Sequence, residues 1–174
     1  MALTPEPSFI RKEDVYALGA RIASQLEYTP NGDIGLAVRK AGGRIKFQDP
    51  WDFETGDSGS MHINKLRDFV IYVSTFTSLS RDRFTIAHEL GHYVLHYFIP
   101  FKNSNDKPEA MRCTRAGEGR VEWEANWFAA GFLMPQNEFK KALEEENNDY
   151  DLVAERFGVS RQAAEFRANI IEHM

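Results

Sequence analysis

Two of the chain's five histidines stand in one short run, His88-Glu89-Leu90-Gly91-His92. On an α-helix, residues i and i+4 project to the same side, so this spacing turns two imidazoles toward one point with a carboxylate beside them. Two imidazoles and a third protein ligand leave one position of a zinc ion open for water, and the neighbouring glutamate can then act as general base. The chemistry predicted is metal-assisted hydrolysis, with His88 and His92 as metal ligands and Glu89 as the catalytic residue.

The third ligand must come from another part of the chain. The lone cysteine, Cys113, lies in a charged, loop-like stretch. One cysteine excludes an intrachain disulfide and any site built from several thiolates, which leaves histidine and carboxylate as the strong ligands. Glu122 is preferred because it opens the next helical run. Asn126, one turn later, can hydrogen-bond a ligand histidine. Glu124 is the neighbouring alternative, and the ordinary reading of both glutamates is a solvated helix start. His96 has three open uses: a fourth ligand, support for a ligand or the substrate, or a helix-end histidine among aromatics. His62, on a predicted strand, either lines the cleft and steadies an oxyanion or is simply exposed. His173 is assigned no role.

These side chains need elements to hold them. RDRFTIAHELGHYVLHYF reads as a helix ending before Pro100, with Ser78 or Ser80 as N-cap and Asp82 in an early turn. At 100° per residue, Ile86, Leu90, Tyr93 and Tyr97 gather on one side and the three histidines form a neighbouring stripe. The helix can therefore bury one face and offer the other to a cleft. VEWEANWFAAGFLM is a second helix, broken at Pro135 and followed by a helical EFKKALEE.

Ahead of the central helix, EDVYALGARIASQLE (13–27) and the run from Asp33 to the Gly42-Gly43 pair read as helices. RIKF, GSMHI and FVIYV read as strands, with a turn-rich loop at 49–59. The charged 101–120 stretch is expected to be a mobile loop that gates or selects substrate. VAERFGVSRQAAEFRANI suggests two helices separated by Gly158 and capped by Ser160. The preferred reading is that they close the core. Arg156, Arg161 and Arg167 keep DNA contact as the minority view, testable by salt-sensitive duplex binding. The fold class predicted is α+β: a small, mainly antiparallel sheet on the histidine-bearing helix and a second ligand helix, in a zincin-like minimal metallopeptidase with flanking N- and C-terminal helices.

Two blocks, RFTIAHELGHYVLH (83–96) and EWEANWFAAGFLMP (122–135), closely resemble the ImmA/IrrE metallopeptidases of phage and mobile-element anti-repressor and radiation-response regulator type. The likeness runs from about residue 13 to 170. It implies that His88, His92 and Glu122 hold zinc, that Glu89 is catalytic, and that Asn126 matches the family's Asn or Asp. Gly131-Phe132 departs mildly, where relatives more often carry a non-glycine residue and leucine. The resemblance further implies a narrow-specificity endopeptidase whose protein substrate is a DNA-binding repressor of helix-turn-helix type, linked to transcription regulation or stress response. A different class of function stays open: a non-proteolytic protein-binding regulator or a toxin-antitoxin component on the same fold.

At 174 residues with a net charge of -5, the sequence fits one domain, expected at 13–174 behind a flexible 1–12. That length can bury a sufficient core without a structural metal, so a metal here serves chemistry. The acidic balance argues against a general nucleic-acid surface, and no direct nucleic-acid partner is expected. No stretch is apolar enough for a membrane span, so the setting expected is cytoplasmic. Zn2+, one per chain, is the expected metal, although histidine and carboxylate also accept Mn2+ or Fe2+.

Overall fold

The computed structural model describes residues 2–49, 59–105, 108–114 and 118–174. The turn-rich loop expected at 49–59 therefore lies almost wholly outside the described residues, as do 106–107 and 115–117 of the charged stretch. Among the described residues the order is α1 (Lys12–Gln25), α2 (Ile34–Ala41), β1 (Gly43–Gln48), β2 (Gly59–Lys65), β3 (Asp68–Ser74) and α3 (Leu79–His92). A π-helical turn (Tyr93–Phe98) and the single turn α4 (Ile99–Phe101) prolong α3, and β4 (Met111–Thr114), α5 (Arg120–Leu133), α6 (Gln136–Glu145), α7 (Tyr150–Phe157) and α8 (Arg161–Glu172) follow.

Local chemistry sets many of these boundaries. Asp33, Ser78 and Ser160 each accept a backbone N–H of the first turn of α2, α3 and α8, satisfying donors that the helix itself cannot. α2 stops at Gly42, whose φ of 94° is open to glycine and strained for other residues.

The sheet runs β1-β3-β2-β4 and is mixed: β1 pairs parallel with β3, while β2 pairs antiparallel with both β3 and β4. Two corrections follow. The first is β4, a strand inside the charged stretch expected to be a loop: Met111 and Cys113 face the core while Arg112 and Thr114 face out. Such alternation is stable only against a partner strand, and β2 is that partner. The second concerns GSMHI, which cannot be the open lip expected for a substrate, because β2 is paired on both sides. The outer strands are β1 and β4. Leu3 bridges to β4 on its outer side, donating its N–H to the Ala110 carbonyl at 2.7 Å and accepting the Arg112 N–H at 3.1 Å.

On the sheet's inner face Met61, Ile63, Phe69, Ile71 and Val73 are at most 1% exposed. Each such side chain contributes about 1.5–3 kcal/mol when fully buried. α3 packs on β3 and on α5, and α1 covers α5. Ile86, Leu90, Tyr93 and Tyr97 are all buried, the face that helical periodicity assigned to the core.

α7 and α8 bury Val153, Phe157, Ala164, Ala168 and Ile171 in the same core, which is the core-closing role preferred for them. The three arginines that kept DNA contact open are engaged within the chain. Arg156 pairs with Glu145 and Glu146, and Arg161 with Asp151 and Glu165. Arg167 is buried, donating from Nε to the Met134 carbonyl at 3.1 Å with its guanidinium 4.5 Å from the centre of the Tyr16 ring. No described helix is long and apolar enough to cross a membrane.

Candidate metal centre

α3 and α5 approach closely because α3 carries a glycine at the crossing. A Cβ on Gly91 would stand 3.1 Å from the Cα and carbonyl oxygen of Ala125 and from the Cβ of Phe128. The glycine inside the HExxH run thus eases a tight crossing, at which an alanine would ask its neighbours to give by a few tenths of an ångström. It lets the first turn of α5, where Glu122 sits, come within reach of the histidine stripe of α3.

Three side chains meet there. The Glu122 carboxylate lies 3.1 Å from His88 Nε2 and 3.3 Å from His92 Nε2, and the two Nε2 atoms are 3.0 Å apart. All the potential ligand atoms fall within 4.8 Å of one another, which makes this a group able to hold a metal ion. The other ring nitrogens have separate partners. His88 Nδ1 is 2.9 Å from Asn126 Oδ1, an acceptor, so its proton sits on Nδ1 and the Nε2 lone pair is turned inward.

The electrostatics follow from this contact. The two imidazoles hold Glu122 well below the usual carboxylate range. Burial pushes His88 down, but the Glu122 contact, the charge of Glu89 and the Asn126 contact outweigh it and leave His88 above its ordinary value.

Glu89 is buried, and its Oε2 has no hydrogen-bond partner among the described residues. A buried carboxylate oxygen left unmatched is costly, and such atoms call for an explanation. A water on a metal held by the three ligands would supply the missing donor, so the donor set and this unmatched oxygen both fit a catalytic-type site with one open position.

The remaining candidates divide. Asn126 sits against His88. His96 stands behind the three-ligand group, backing His92: its Nδ1 is 3.1 Å from His92 Nδ1 and its Nε2 is 3.0 Å from Glu124 Oε2. Glu124, the alternative third ligand, is wholly buried in that contact, so the two glutamates of α5 serve different histidines of α3. His62 is not brought to the site. It alternates with Met61 and Ile63, whose side chains fill the core face, and packs edge-on to the Tyr72 ring across the sheet. The Met-x-Ile alternation carries that signal in the sequence.

Cys113 is a neighbour expected in a loop and found on a strand. Its buried thiol on β4 is pushed far up by desolvation and by the charges of Glu89 and Glu122, so it stays protonated beside them. The M-x-C alternation is its only trace in the sequence, and four residues are too few to mark a strand. The π-helical turn that follows His92 and carries His96 belongs to a class of wide turns that recurs at functional sites.

A family model described as the IrrE N-terminal-like domain, of a peptidase family, matches residues 51–169. No curated protein matches the chain. A solved structure of a Mycobacterium tuberculosis transcriptional regulator is similar at a TM-score of 0.59 and 18% identity, covering 87% of this chain and 45% of that one. The likeness is one of fold, and this chain spans less than half the length of that protein.

Proposed function

The chain belongs to the peptidase family of the IrrE N-terminal-like domain, and from that premise we propose that it is a zinc-dependent endopeptidase of narrow specificity in the cytoplasm, cleaving a regulatory protein of repressor type. The observation that carries this reading is the convergence of His88 Nε2, His92 Nε2 and the Glu122 carboxylate beside the unmatched oxygen of Glu89. The zincin-like reading of the fold rests on the same two-helix arrangement.

His88, His92 and Glu122 would hold the metal, which supplies Lewis-acid polarisation of a peptide carbonyl and acidifies water. Zinc suits two imidazoles and one carboxylate, and Mn2+ or Fe2+ fits the same donors less selectively. Glu89 takes the proton of the attacking water on its free Oε2 and delivers it to the leaving amine, a role worth roughly 10²–10⁴ in rate. Asn126 keeps His88 in the tautomer that presents Nε2. An extended substrate aligns along β4 beyond the Leu3 bridge at Ala110 and Arg112, on the outer strand whose Cys113 side chain feels the charge of Glu89 and Glu122. A protein target that governs transcription is supported by the fold shared with a transcriptional regulator and by the family resemblance of the two sequence blocks.

The test is incubation of zinc-loaded protein, and of a Glu89→Gln variant, with candidate repressors encoded nearby, with fragments identified by mass spectrometry. Cutting by the parent and its loss in the variant, with zinc still bound, is the expected result. Equal cutting by both would remove Glu89 from the mechanism.

A further inference from the structure

A buried chain of polar contacts runs from the three-ligand group to residues 8–10. His92 Nδ1 lies 3.1 Å from His96 Nδ1, and His96 Nε2 lies 3.0 Å from Glu124 Oε2. The Glu124 carboxylate is fully buried. It accepts the Ser8 N–H at 2.8 Å, the Phe9 N–H at 3.0 Å and Arg120 Nε at 2.8 Å. Arg120 in turn donates from Nη2 to the Ile10 carbonyl at 2.9 Å.

The order of protons along this chain is fixed from one end. An ionised carboxylate only accepts, so the His96 nitrogen facing Glu124 must carry the proton. The 3.1 Å contact between the two Nδ1 atoms holds a single proton, and a His96 ring that donates from Nε2 to Glu124 offers its Nδ1 lone pair to that contact. His96 Nδ1 is therefore an acceptor, and the His92 nitrogen that meets it must be the protonated one. His92 is left with its lone pair on Nε2, the atom that faces His88 and Glu122. Donors gathered on Glu124 thus set the tautomer of a histidine two groups away.

The backbone at Phe9 is a second, separate observation. Its φ of 56° lies in the left-handed region, unusual for a bulky residue. Core packing does not repay this, because the ring is 73% exposed, with the Arg120 guanidinium 5.3 Å from its centre. What the strained turn achieves is to aim two successive amides at one carboxylate, as anion-binding nests do. Those amides, with His96 and Arg120, give the buried Glu124 carboxylate four donors.

We propose that Glu124 and His96 are positioning residues that hold His92 in its metal-binding tautomer and orientation, and that the Ser8-Phe9 turn completes this device by holding the buried Glu124 carboxylate against His96. The proposal rests on the metal-binding reading of His88, His92 and Glu122. It assigns residues 8–10 a part in the site although they touch none of its ligands.

The experiment measures Zn2+ affinity by competition with a chromophoric chelator and records the visible spectrum of the Co2+-substituted protein. The full chain is compared with Glu124→Gln, His96→Leu and Ser8→Pro variants. Glu124→Gln keeps the shape but puts an amide N–H where only acceptors fit, and His96→Leu cuts the chain while leaving Glu124 its other donors. Supporting partners of a ligand histidine are worth about 10–100-fold in metal affinity, and a loss of that size is expected for both, with an altered cobalt band. Ser8→Pro removes the backbone donor together with the Ser8 hydroxyl, which accepts the Ile10 N–H at 3.3 Å, and gives a smaller loss of the same kind. Thermal midpoints of the metal-free proteins identify any variant that fails to fold, and the other two then decide. Wild-type affinity and an unchanged cobalt spectrum in the folded variants would overturn the proposal and reduce Glu124 to a pin for the N-terminal segment. Failure of the parent protein to bind either metal would instead overturn the underlying reading, and the proposal with it.

Discussion

α5 is held between α3 and α1 by glycines on both sides, and changing each to alanine should produce two different kinds of damage. On the α1 side, a Cβ on Gly131 would stand 2.2 Å from the Tyr16 carbonyl oxygen and 2.8 Å from its Cα. Gly19 faces it from α1, where a Cβ would lie 2.4 Å from the Phe128 carbonyl oxygen. The obstacles are main-chain atoms, so no side chain can rotate away, and the helices must part by about 1 Å to restore ordinary contact. Overpacking a tight core costs about 1–3 kcal/mol, and main-chain obstruction puts Gly131→Ala near the top of that range. Helix propensity returns about 1 kcal/mol. The net loss of about 2 kcal/mol lowers the thermal midpoint by roughly 4–8 °C at this chain length.

On the α3 side, Gly91→Ala meets Ala125 and Phe128 at 3.1 Å, a misfit of only a few tenths of an ångström. Its cost roughly cancels the propensity gain of about 1 kcal/mol, so the midpoint should stay within a few degrees. The displacement is nevertheless directed at the gap that Glu122 must cross, and sites of this kind tolerate only about 0.5 Å of error. Zinc affinity should therefore fall about tenfold. In Gly131→Ala it should hold, because α1, on the far side of α5, is the element free to yield. Thermal unfolding and chelator competition on both variants measure this. A Gly131→Ala midpoint equal to or above the parent's would refute the packing argument, and equal loss of zinc affinity in the two variants would refute the assignment of α1 as the yielding helix.

Asn126→Ala removes the acceptor of the His88 Nδ1–H and should weaken zinc binding by about 10–100-fold without abolishing it, whereas Glu122→Ala should take affinity below the range of the same competition assay. The metal-free protein should also show a pH signature of the contact between His88 and Glu122. Glu122 has a folded pKa below its ordinary 4.5, so its contribution is present above that value and is lost as the pH falls below it. His88 has a folded pKa above its ordinary 6.5, so its contribution is present below that value and is lost as the pH rises through the raised one. Thermal midpoints of metal-free protein should therefore peak between about pH 4.5 and 6.5 relative to Glu122→Gln. A difference between the two proteins that does not vary with pH would count against the contact.

Where local rules govern, the residues speak clearly. Asp33, Ser78 and Ser160 as caps, Gly42 and Gly158 as stops, and Pro135 as a break all act within one turn of the chain. The buried stripe of α3 follows from periodicity alone. The strand Met111–Thr114 is hidden in the sequence because four residues among charges carry no period of their own, and its partner β2 lies far away along the chain. The same pairing overturns the open edge expected at GSMHI, since a strand's edge is a property of its neighbours. His62 differs from both: the alternation of Met61 and Ile63 already puts it on the opposite face, so its absence from the site is legible without the sheet.

By itself the sequence determined which chemistry is on offer: two imidazoles one helical turn apart, a glutamate between them, and no thiolate cluster to compete. It also pointed to a third ligand elsewhere in the chain, with a glutamate near the start of the next helix preferred. It favoured Glu122 but left Glu124 open, because both ride one helix two residues apart and point to different sides of it. Only the rotation of α5 against α3 decided that, set by bare backbone at Gly91 and, on the other flank, at Gly19 and Gly131. That rotation turns Glu122 to His88 and His92 and buries Glu124 against His96. Side-chain chemistry is written residue by residue, but which groups meet depends on how closely helix surfaces approach, and that distance is fixed by packing across the whole core.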